Sequence, residues 1–369
     1  MIELSSRRQS SKFSSASTTN VGLLVIGAIL LALANTSMAV DGVIEINPAC
    51  VPVGCFPGDP AGFPVTITES GSYRLTGNLV LPDENTTAIV YSAADVSIDF
   101  NGFAIRGVTE CQQNPSTLLV GCAQAGSGRG IEALDTLYST SLRVSNGTIH
   151  GTGNRAISLS EPNNSAVIED MVIRSSGSTG IYCKGYCTVR DSRVELSLSH
   201  GIHSDPDSGV VGEVNAVDVH LISNGGGGVR CIADDRRRCS VIDSTVKFNS
   251  GIGISGVAIA RGVLVAQNGS AGIIAGLVAD SVVRNNGDTG VAARVVRGSY
   301  ISGNAGAGIE SGGLPGALVV DNKISFNAGC GTWDAVLVEN FFLQNNNGNL
   351  QTCASVHLGP NHCEPNVGC

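Results

Sequence analysis

Positive charge is scarce in this 369-residue chain: 22 lysines and arginines stand against 31 aspartates and glutamates, a formal net charge of −9. That balance excludes non-specific nucleic-acid binding, which rests on neutralising phosphates. An apolar stripe at helical spacing is absent as well, and so is the leucine-dominated consensus of leucine-rich repeats. One apolar stretch, Val21 to Ala34, stands out, and it is too short for a comfortable membrane span. It follows the basic residues Arg7, Arg8 and Lys12 and precedes Ser37-Met38-Ala39, the arrangement of an export signal cleaved after Ala39. Residues 1–39 are therefore set apart from the fold. Their loss removes three basic residues and one acidic residue and takes the net charge to −11.

What is present in abundance is repetition. Six asparagines each precede a glycine by four residues: Asn224 and Gly228, Asn249 and Gly253, Asn268 and Gly272, Asn286 and Gly290, Asn304 and Gly308, Asn327 and Gly331. In the first five pairs a β-branched residue follows the glycine. Upstream the same frame continues with Thr152, Ser176 and Ser197 in the asparagine slot, and the glycine slot recurs every 18 to 27 residues from Gly130 to Gly308. Alternating Val and Ile broken by Gly, Asn, Asp and Ser make each unit β, so the chain is an all-β solenoid of one coil per repeat. A second column precedes the first by six residues: Asn146, Asp170, Asp191, Asp218, Asp243, Gly262, Asp280, Gly298 and Asp321. Between the columns, Val246 and Phe248 are expected on the inner face of a strand and Thr245 and Lys247 on the outer. Stacked about 4.8 Å apart, the asparagines form a hydrogen-bonded ladder and the aspartates cap amides at their own turns.

The Asn-x-x-x-Gly-Ile frame and the segment from Val96 to Ile105 resemble the right-handed parallel β-helix of the pectin-lyase-like superfamily, over roughly Val96 to Gly331. The resemblance implies a right-handed parallel β-helix and leaves the chemistry open. Residues 40–95 read as an N-terminal β cap, 96–331 as the repeats, and 332–369 as a C-terminal cap with a cysteine-rich tail. The superfamily's motifs are missing: no Gly-His-Gly, no Trp-x-Asp-His and no Asp-Pro-His, since Asp207 stands where that histidine would be. No functional residue carries over.

All twelve cysteines follow the export signal in close pairs, Cys50/Cys55, Cys111/Cys122, Cys183/Cys187, Cys231/Cys239, Cys330/Cys353 and Cys363/Cys369. An even count after such a signal argues for six local disulfides. Cys183 and Cys187 have no second thiol pair with which to hold a metal.

Chemistry on a solenoid falls on outward columns and inter-strand loops. The residue two after the glycine slot gives Tyr182, His203 and Arg230 on consecutive rungs, a spacing that suits a glycan lying along the coil axis. Two adjacent coils carry the longest insertions, one with Asp205 and Asp207, the other with Asp234, Asp235, Arg236, Arg237 and Arg238 between Cys231 and Cys239. The aspartates suit calcium or acid catalysis; His203, Arg236 and Arg237 are the base candidates; Arg230 and Arg238 suit substrate binding. An ordinary solvated face and a charged loop held by a disulfide are the plain alternatives. His200 and His203, three apart, need not converge. The expected partner is a polysaccharide or surface glycan, the competing readings being a lyase or epimerase of an acidic polysaccharide and a non-catalytic adhesive scaffold.

Overall fold

A computed structural model describes residues 42–134, 140–160, 164–205, 212–232, 239–312 and 316–364. The expected export signal and the six residues 233–238 lie outside these. Val43–Cys369 forms one compact unit. Nearly every strand in it pairs in parallel with the strand one repeat away, which builds three sheets around a common core. No helix among the described residues is long and apolar enough to cross a membrane.

The first sheet follows the glycine slot. Its register runs Ile131, Ile157, Ile181, Ile202, Val229, Ile254, Ile273, Val291 and Ile309, one β-branched side chain directly over the next. All are essentially fully buried, each contributing about 1.5–3 kcal/mol of apolar burial. The glycine before this residue is required by close approach: a Cβ on Gly272 would stand 2.5 Å from the carbonyl oxygen of Gly290.

The second and third sheets meet at the aspartate column. Every described member of that column has a left-handed backbone, from φ 49° at Asp243 to 64° at Gly262. Asp, Asn and Gly are the residues that tolerate this conformation. The amide-capping role expected of the carboxylates is not what holds the corner: in the hydrogen bonds that bind each turn, Asp170, Asp191, Asp218, Asp243, Asp280 and Asp321 take no part through their side chains. The amides are met by the next residue along, in a second ladder. The N–H of Ser281 donates to Ser299, that of Ser299 to Asn322, and that of Asn322 to Asn340. Phe248, expected inside, lies instead at the next corner with φ 58° and is half-exposed, while Val246 is buried as expected.

The asparagine ladder is present over seven rungs. Nδ2 of Asn224 donates to Oδ1 of Asn249 at 2.9 Å, and the same bond repeats through Asn268, Asn286, Asn304, Asn327 and Asn345. Each Nδ2 also donates to a main-chain carbonyl, as Asn249 does to Leu221, and each Oδ1 accepts a main-chain N–H from the rung before. Gln351 closes the file by accepting from Asn345. Hydrogen bonds made by every donor and acceptor offset the cost of taking these amides out of water.

The strands read as caps continue the register. Val43–Ile46 pairs with Gly71–Leu75, and Phe341–Leu343 with His362–Glu364. Five cysteine pairs are bonded as the spacing implies: Cys50–Cys55, Cys111–Cys122, Cys183–Cys187, Cys231–Cys239 and Cys330–Cys353. Cys363 is also disulfide-bonded, and Cys369 lies outside the described residues.

Candidate functional site

The outward column of the first sheet is Glu132, Ser158, Tyr182, His203, Arg230 and Ser255, in direct register across six rungs. These side chains alternate with the buried β-branched column, so the same period-two rule that fills the core turns them outward. The Tyr182 and His203 rings meet edge to face at 5.6 Å. His200 approaches too: its ring centroid lies 5.0 Å from that of His203, so the two rings do converge across the corner. Ser199 Oγ shares a hydrogen bond with His200 Nδ1 at 2.9 Å.

Two arginines that sequence reasoning missed complete the cluster. The Arg155 guanidinium carbon lies 3.5 Å from the Tyr182 ring centroid, a cation–π contact, and its Nη1 donates to Ser158 Oγ at 3.3 Å. Arg129 pairs with Glu132 one rung earlier. Both arginines sit in corners just ahead of a strand, at the repeat position immediately before the glycine slot, which His200 holds two rungs later than Arg155.

Electrostatics follow from this crowding. Burial, reinforced by the neighbouring Arg230 charge, lowers the pKa of His203 to about 4, against the opposing pull of Asp205. Burial, His203 and Arg230 bring His200 to about 4 as well. Both imidazoles are neutral at pH 7. His203 Nε2 is buried with no hydrogen-bond partner, as are the Nε atoms of Arg129 and Arg155. A neutral imidazole with an unpartnered nitrogen has the chemistry of a base or a hydrogen-bond acceptor, although His203 Nε2 is enclosed by its neighbours in this structure.

A recess of about 370 Å³ beside the column is lined by His200, Gly226, Gly227, Arg230, Ser255 and Ser270. An unforeseen element also packs on the coil, an antiparallel hairpin of Glu110–Gln113 and Val120–Ala123 stapled by Cys111–Cys122. The hairpin leaves an early coil and crosses later corners: Cys111 N–H donates to Ser175 Oγ, and Gln113 Nε2 donates to the Phe248 carbonyl at 2.6 Å. Val120 lies against Gly225. The two insertions depart from neighbouring rungs, after Ile202–Ser204 and Val229–Cys231. Asp205 is described there and faces the cluster; Asp207, Asp234, Asp235, Arg236, Arg237 and Arg238 lie outside the described residues. Among the described residues no three His, Cys, Asp or Glu side chains are gathered for a metal.

A larger, more open hollow of about 1110 Å³ lies elsewhere, over Tyr300, Lys323, Phe341 and His362 on the third sheet. Phe341 stacks on His362 at 5.0 Å, and Lys323 lies over both Tyr300 and Phe341. These groups occupy one another's faces from rung to rung and serve as a stacking device.

No known protein family and no curated protein matches the sequence. Solved structures do match. The periplasmic alginate epimerase AlgG aligns over 86% of this chain and 83% of its own with a TM-score of 0.50 at 12% identity. The mannuronan C-5 epimerase AlgE4 A-module of Azotobacter vinelandii aligns over 81% and 90% with a TM-score of 0.43 at 15% identity. The GH136 lacto-N-biosidase of Eubacterium ramulus aligns over 81% and 59% with a TM-score of 0.33 at 9% identity. At such identities it is the architecture that is shared, and the chain is a right-handed parallel β-helix protein.

Proposed function

We propose that the outward column of the first sheet binds an acidic polysaccharide laid along the coil axis, with Arg155 and Arg230 meeting its carboxylates and Tyr182, buried beneath Arg155, holding that guanidinium in place. The observation that carries this reading is local charge reversal: a chain of net charge −9 places Arg155 and Arg230, neither in an ion pair among the described residues, within one run of four rungs. Arginine forks suit carboxylates. The alginate epimerases among the structural neighbours, which act on such a polymer by name, support the same substrate class. The disulfides support an oxidising compartment outside the cytoplasm.

One observation favours catalysis of the lyase or epimerase type: His203 is neutral with a free buried nitrogen. A substrate carboxylate beside Arg230 offsets the charge that depresses His203 and raises its pKa toward the working range of a base. Asp205, with Asp207, Asp234 and Asp235 on the insertions, is the calcium reading. The test is a glycan array, followed by incubation of each hit and product analysis. Retention of an acidic glycan by the native chain, weakened at least about tenfold by Arg155→Ala or Arg230→Ala, is expected. Equal retention by both variants overturns the binding reading. Loss of retention in EDTA supports calcium, and unchanged retention removes it.

A further inference from the structure

The outward face of the second sheet changes character halfway along the molecule. One column in register reads Ser97, Arg143, Val167, Thr188, Asn215 and Ser240. Beside it Glu169 is buried between Arg143 and Arg190, so this half is polar and internally paired. From the next rung the same column becomes Ile259, Leu277, Val295, Leu318, Val336 and Val356. All six are half-buried or exposed, Leu318 at 42% and Val356 at 55%. A strand's outward column has no structural need of aliphatic side chains, and a contiguous apolar patch of this length marks a contact surface.

The charges beside the stripe are sorted. Arg261, Arg294 and Arg297 flank its first half, while Asp321, Asp334 and Glu339 flank its second; all six reach solvent, and none is in an ion pair among the described residues. Asp280 is the one carboxylate in the basic half.

We infer that this face docks a second copy of the chain in antiparallel orientation. A two-fold axis lying in the face and across the coil axis lays stripe upon stripe and sets each copy's arginine-flanked half over its partner's carboxylate-flanked half. Parallel stacking would oppose like charges. The surface is independent of the first-sheet column, so the inference stands whatever becomes of the glycan reading. Six rungs by about five residues along each strand give a flat face of about 29 by 16 Å, or roughly 450 Å² per copy. That is smaller than the roughly 800 Å² per partner of tight complexes, so the dimer is weak and reversible.

Sedimentation velocity from about 5 µM to about 1 mM reads this out, with a dissociation constant on the order of 100 µM expected. Leu318→Glu is expected to abolish the dimer, and added salt to weaken it. Two charge-reversed chains make the decisive arm: Arg261→Glu with Arg297→Glu, and Asp321→Lys with Glu339→Lys. Each is expected to lose self-association and the mixture of both to regain it, which a misfolded chain could not do. A monomer at every concentration overturns the inference. So does a dimer indifferent to Leu318→Glu, or a face that binds phosphatidylcholine vesicles while the protein stays monomeric.

Discussion

At the scale of the residue, the informative groups are those whose surroundings oppose their ordinary state. His203 and His200 are held neutral by burial and by Arg230, with pKa values of about 4 against 6.5 for a free imidazole. Between these two values the unfolded chain takes up protons that the folded chain refuses. Stability is therefore fully present above about pH 6.5, falls as the pH is lowered through that window, and levels off below about 4. Thermal melting followed from pH 7 to pH 4 should show this decline, and a His200→Gln/His203→Gln variant should flatten it. If the variant's slope equals the native one, the buried neutral state is wrong. Arg155, which completes the same cluster, was legible but overlooked: it immediately precedes the glycine slot at Ala156, the position that Arg129 and His200 hold on other rungs. Tyr182, His203 and Arg230 were legible because a strict period of two fixed their side of the strand once the glycine slot was known.

At the scale of the element, the two ladders and the glycine column decide where substitution is tolerated. Asn268→Ala would leave the Asn249 N–H and one Asn249 Nδ2 hydrogen buried without an acceptor. With each orphaned group costing about 1–3 kcal/mol, a loss of about 2–5 kcal/mol is expected in denaturant unfolding. Gly272→Ala should cost about 1–3 kcal/mol by forcing its new methyl off the Gly290 carbonyl. A midpoint unchanged in both variants would contradict the close rung-to-rung fit. The asparagine ladder could be read beforehand because identical residues recurred at a fixed offset. Its serine counterpart could not, since Ser281, Ser299, Asn322 and Asn340 share no single residue type. The hairpin around Cys111 and Cys122 escaped for a different reason: it does not repeat, and its partners are corners as distant in sequence as Phe248. Replacing both cysteines by serine should loosen it, seen as faster amide exchange over residues 110–123 with the ladder rungs unaffected.

At the scale of the whole molecule, each rung touches chiefly its two neighbours, so stability is distributed along one dimension. Hydrogen exchange should then be slowest in the central rungs, around Ile181 to Ile273, and should quicken toward Val43–Ile46 and His362–Glu364, which each pair with one strand alone. Uniform exchange from end to end would argue against independent rungs. The overall architecture was legible in the sequence because periodicity is a property of the entire chain. The aliphatic stripe was not, because strand lengths change from eight residues in Ile254–Arg261 to four in Ala317–Val320 and the offset from the glycine slot drifts with them.

The asparagine file also has a direction. One Nδ2 hydrogen of every amide in it points toward the C-terminal end while the other turns back to a main-chain carbonyl, so Asn224 receives from the main chain of Ser197 at one extremity while Asn345 gives to Gln351 at the other. The side-chain dipoles thus add head to tail, and Gln351 is the stopper that keeps their electropositive tip from facing bare solvent or recruiting the carbonyls of a stranger.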